Sequence, residues 1–115
     1  MIYLYIGSGK LIRFNGMQDQ DTGAYLNSGW TATWELWTAQ LDAAGRPAPL
    51  AAVPGASGPM PYTAASDGNY EGLIGAAVTG GLTAFARYFV KGTFTNGAST
   101  DTRWLLAEAR LRGQD

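Results

Sequence analysis

The chain has no cysteine and no histidine. The first absence excludes disulfides and thiolate chemistry. The second removes the commonest general base and the commonest zinc ligand. Charge is scarce too: eight Lys and Arg stand against nine Asp and Glu in 115 residues, for a net charge of −1. The basic residues are spaced, as at Arg103, Arg110 and Arg112. No patch forms that would neutralise a phosphate backbone, so no nucleic-acid partner is expected. No run approaches the ~20 apolar residues that cross a bilayer, so no membrane partner is expected either. The start, MIYLYIGSGK, is apolar but lacks the positive region and the length of a signal segment. These absences point to a chain used in a cytoplasm, or assembled there into something larger.

What remains is an ordinary apolar content of 46%, enough for one core in a single domain spanning 1–115. Charged residues make up only 15%, so the surface is less protected against association. Either the genome's codon bias or coverage by neighbouring subunits accounts for that.

The organising stretch is 67–92, DGNYEGLIGAAVTGGLTAFARYFVKG. It opens on an Asp-Gly-Asn turn, continues as a short apolar run over 70–74, reverses through glycines at 75–81 and ends as a strand over 83–91. Ala84, Ala86, Tyr88 and Val90 share one face there; Phe85, Arg87, Phe89 and Lys91 share the other. Period two with aromatic and β-branched residues is a half-buried strand. The unit reads as strand, turn, strand.

Other strands are expected at 2–6 and 11–14, with Gly7-Ser8-Gly9 as a hairpin turn between them. Residues 17–29 are a polar loop anchored at Tyr25 and Leu26. Over 30–41, Trp30, Ala32, Trp34 and Leu36 face the core, and Thr31, Thr33, Glu35 and Trp37 face out. A bulge is expected near Ala39, because Leu41 breaks the parity. All five prolines fall in 46–61, which reads as a long surface loop with an edge strand at 50–53 at best. Asn96-Gly97 signals a hairpin. Residues 102–112 read as a strand, with a helix as the alternative. Seven or eight short strands with frequent turns fit an all-β antiparallel sandwich, and Trp34, Leu36, Tyr88 and Val90 belong in its core.

No catalytic constellation emerges. Gly7-Ser8-Gly9-Lys10 lacks both the earlier glycine and the hydroxyl residue of a phosphate loop. Asp19 and Asp21, with Asn15 and Thr22, offer at most four oxygens where calcium takes six to eight. Glu35, Asp42, Glu71 and Glu108 are explained by solvated positions. The serines have no basic partner. The expectation is a protein that is not an enzyme and carries no metal or cofactor, with no small-molecule ligand expected. Trp37, an aromatic among polar neighbours, suits a protein interface, or alternatively a sugar-stacking platform.

The order DTGAYL, a Trp/Thr strand ending LDAAG, MPYTAASDGNYEGLIG, GLTAFARYFVKG and ARLRG resembles small structural proteins of tailed-bacteriophage virions, over roughly 21–113. Met1 to Met17 lies outside the resemblance. It implies an immunoglobulin-like or jelly-roll sandwich that decorates a capsid or serves at the head–tail junction or tail. It also implies a place in the virion after assembly in the host cytoplasm. The expected partners are further copies of the chain, a larger virion protein, or both. The alternative is a carbohydrate-binding or adhesin-like module. The contact residues expected from the sequence are Trp37, Leu50, Val53, Met60, Ile2, Tyr3 and Leu4. On this reading, deletion of 51–58 leaves the domain folded and abolishes assembly.

Overall fold

The computed structural model describes residues 1–27, 29–97 and 99–111. Among them are seven strands and one helical turn: β1 (Ile2–Tyr5), β2 (Lys10–Phe14), β3 (Thr31–Leu41), β4 (Pro47–Pro59), β5 (Tyr70–Ile74), α1 (Ala76–Thr79), β6 (Arg87–Asn96) and β7 (Ser99–Arg110). Five strands form one sheet in the order β1-β7-β6-β3-β4, and β2 and β5 form a second. Every pairing is antiparallel except β1 with β7, which is parallel.

Period two builds the core. In β3 the buried set is Ala32, Trp34 and Leu36, and in β6 it includes Tyr88, Val90 and Phe94. The small sheet packs on this face. Phe14 of β2 meets Phe94 edge-on at 5.7 Å between ring centroids, and Tyr70 of β5 meets it at 5.0 Å. Gly92 makes the approach possible, since a Cβ there would lie 2.8 Å from Cζ of Phe14. The four residues assigned to the core are between 0% and 7% exposed.

β7 settles the C-terminal alternative as a strand. It joins β6 in a hairpin that pairs Asn96 with Ser99, with Gly97 at φ +59°. The irregularity expected near Ala39 is present as register shifts on both sides of Trp37.

Three expectations are corrected. The Gly7–Gly9 turn is no hairpin. It carries the chain from β1 in the large sheet to β2 in the small one. The 67–92 unit is likewise a crossover, because β5 and β6 belong to different sheets, with α1 between them. β6 also begins late, at Arg87. Before it, Phe85 takes φ +65° and donates its N–H to the Ala109 carbonyl, while Ala86 accepts from Ala109 N–H.

The third correction is the largest. Residues 46–61 are not a loop, since β4 fills most of them and, among the described strands, pairs with β3 alone. An edge strand tolerates proline because only one side of its backbone needs donors. Thr38 Oγ1 bonds both the N–H and the carbonyl of Ala51 where the ladder is irregular. Ala56 is buried here, and Gly58 and Ser57 pair with Trp34 and Glu35. Removing 51–58 would therefore strip a flank from β3, not trim a loop.

Between β2 and β3 the polar segment is pinned by Leu26, which is buried. The Tyr70 hydroxyl donates to its carbonyl at 2.6 Å. Burial, then the neighbouring Tyr62, pushes the Tyr70 hydroxyl above the usual tyrosine value. An acid whose folded value is raised supports stability fully below its unfolded value, about pH 10, and loses that support as pH rises further. Urea midpoints should therefore fall between pH 9 and pH 11, and Tyr70→Phe should make that fall smaller. An unchanged fall in the variant would reject this assignment.

Candidate functional site: the outer face of the large sheet

One face of the five-stranded sheet packs on the small sheet. The alternate residues of the same strands point the other way. The register arranges them in rows across β3, β6 and β7. Two rows are all threonine: Thr31, Thr95, Thr100 and then Thr33, Thr93, Thr102. The next row is Glu35, Lys91, Trp104, followed by Trp37, Phe89, Leu106. Beyond them Arg87 pairs with Glu108, which pairs in turn with Tyr3 of β1.

The centre of this face is aromatic. Trp104 meets Trp37 edge-on at 5.5 Å and Phe89 edge-on at 6.0 Å. Lys91 Nζ sits over both indoles, 5.4 Å from the Trp37 ring and 5.5 Å from the Trp104 ring. Trp37 Nε1 donates to Glu35 Oε1 at 2.6 Å. At the β1 end, the Arg110 guanidinium lies 4.2 Å from the Tyr3 ring and bonds Glu108 at 2.9 Å. These contacts hold large, flat side chains in fixed positions. Such side chains lose little further freedom when something packs on them.

The residues expected at a contact are dispersed. Trp37 faces outward as its parity required, but it is half-buried by the aromatic cluster. Tyr3 lies on the same side of the sheet and is exposed. Leu50 is exposed on β4, while Val53 and Ile2 are half-buried against the core. Met60 and Leu4 are not at the surface. They are 1% and 0% exposed, because both point between the sheets. Phe89, Lys91 and Trp104 were missing from the expected set. The parity of each strand was legible, but the register that gathers them around Trp37 was not.

Two other surface features stand apart. Leu11 and Leu73 pair across the small sheet and are exposed, flanked by the Arg13–Glu71 ion pair at 2.6 Å. A cleft of about 290 Å³ is lined by Asp19, Gln20, Asp21, Trp30, Ser99, Thr100 and Asp101. Asp19 Oδ1 accepts from Asp21 N–H and closes its own turn, while Asp101 accepts from Gln20 and Arg103. Among the described residues, no three or more His, Cys, Asp or Glu group closely enough to hold a metal ion.

No protein-family model matches the chain, and no curated protein matches it.

Proposed function

We propose that the chain is a non-enzymatic structural protein of a bacteriophage virion. It decorates a capsid or serves at the head–tail junction or tail, and it acts through protein–protein contacts. Its fold in this reading is a β-sandwich of immunoglobulin-like or jelly-roll type, with the small sheet as the second layer. The observation that carries the reading is the outer face, where Trp37, Phe89 and Trp104 lie together within a border of threonines and charges. Aromatic centres with polar rims are the anatomy of protein interfaces. The virion itself enters from the resemblance of the 21–113 segment.

The test is the composition of purified particles from a host carrying the gene. The chain should be present at fixed stoichiometry, and particles made with Trp104→Asp should lack it while the free variant stays folded. Particles without the wild-type chain would refute the proposal.

A second reading has one observation of its own. Trp30 shares its cleft with carboxylates, an amide and hydroxyls. Such a mixture suits a sugar, with the indole as a stacking surface and the polar groups as hydrogen-bond partners. Glycan-array binding abolished by Trp30→Ala, with the fold retained, would favour it over the virion reading.

A further inference from the structure

The outer face has the properties of a surface that packs against its own copy. We infer that a second copy of this chain docks there, sheet face against sheet face. This deepens the structural reading above and rests on it for the claim that the face binds protein.

Size is the first argument. β6 has ten residues, which at about 3.4 Å each make the face roughly 34 Å long. Five strands spaced about 4.8 Å apart make it roughly 20–24 Å wide. The product, roughly 700–800 Å², matches the ~800 Å² that each partner of a standard stable interface contributes.

Charge is the second argument. The face carries Glu35 and Glu108 against Lys91, Arg87 and Arg110. Both signs are present and nearly balanced, so a copy of the face does not repel it. A partner of strong single charge would find no complement here.

Shape is the third. Two rows of three threonines present short, β-branched side chains at even height. Packed sheets lie about 10 Å apart, and short side chains let a second sheet approach to that distance. The aromatic cluster next to them is already held by Lys91 and Glu35. The low charge of the whole chain is consistent with a surface partly covered by its own kind.

The experiment measures mass in solution by sedimentation equilibrium across a wide range of concentrations. The full chain should dimerise from its 12.2 kDa monomer. Thr93→Arg should weaken the dimer about 100-fold or more by setting a long charged side chain among the short threonines. Leu11→Lys, on the small sheet, should leave the dimer unchanged. Because the sequence lacks cysteine, single variants give an unambiguous second readout. At least one of Thr33→Cys, Thr93→Cys and Thr102→Cys should form a disulfide-linked dimer on oxidation, and Leu73→Cys should not. These cysteine variants keep the test valid if Thr93→Arg fails to fold.

A chain that stays monomeric up to about 1 mM would overturn the inference, 1 mM being the weakest affinity worth calling specific here. So would a dimer broken by Leu11→Lys and not by Thr93→Arg. If the chain is monomeric yet Thr93→Arg excludes it from particles, the face belongs to another virion protein. The self-association inference then fails while the virion reading stands.

Discussion

Replacing Trp34 by alanine is expected to lower stability by about 3–5 kcal/mol, because a large aromatic leaves a cavity that its surroundings fill only in part. Trp34 is 3% exposed and lies at the junction of both sheets. Two glycines shape its site. A Cβ on Gly58 would come within 2.8 Å of Nε1, and one on Gly72 within 3.0 Å of Cδ1. Backbone from β4 and β5 therefore packs directly on the indole, and backbone does not collapse into a void as a side chain does. Among the described residues Nε1 has no hydrogen-bond partner, so the ring's contribution is packing and not polar bonding. That separates two substitutions. Trp34→Phe keeps most of the apolar surface and discards the unpaired N–H, so it should cost less than half as much as Trp34→Ala. Urea unfolding followed by circular dichroism measures both. Equal losses for the two would mean that the indole N–H matters after all.

The second large effect is expected at Gly68. Its φ is +69°, a conformation that costs an ordinary residue about 1–2 kcal/mol. Gly45 shares that strain at φ +77°, but among the described residues nothing lies within 4 Å of a Cβ there. At Gly68 the Cβ would lie 2.4 Å from the Met17 carbonyl oxygen and 2.7 Å from its nitrogen. Met17 cannot easily retreat. Its N–H donates to the Gly68 carbonyl and its own carbonyl accepts from Leu26 N–H, both at 2.9 Å. Gly68→Ala should therefore cost about 3 kcal/mol or more, the range of severe backbone conflicts, against about 1–2 kcal/mol for Gly45→Ala. For a domain of this size the first corresponds to a fall in Tm of roughly 10 °C or more. Thermal melts of the pair decide the matter. If both variants melt alike, the Gly68 contact is not a constraint on folding.

Much of the fold was legible because alternation is a local property. The inward set of β3 and the pair Tyr88 and Val90 follow from parity alone, and the β6–β7 hairpin follows from Asn96-Gly97. The failures share one cause. Which strand pairs with which is a long-range outcome that neighbouring residues do not encode. Gly7-Ser8-Gly9 and the glycine-rich stretch before β6 turn the chain in either case, and nothing local says whether the next strand stays in the same sheet. The prolines of 46–61 misled for a related reason. Proline is incompatible with a central strand, but only the completed sheet reveals that β4 has one free side. Leu4 and Met60 were placed at the surface because their segments were read as peripheral. Both are core residues, since β1 joins the large sheet through β7 and Met60 donates its N–H to the Ala32 carbonyl. The outer face was half legible. Trp37 was recognised as an outward aromatic, while its companions Phe89, Lys91 and Trp104 required the register.

The proposed function requires that this outer face be covered in the assembly. Hydroxyl-radical footprinting of the free chain against the same chain in the particle it is proposed to join reads that coverage residue by residue. Strong protection of Trp104, Phe89 and Tyr3 is expected in the assembly, with Leu11 and Leu73 on the small sheet as reactive as in the free chain. Unchanged reactivity of Trp104 and Phe89, with protection at Leu11 and Leu73 instead, would contradict it.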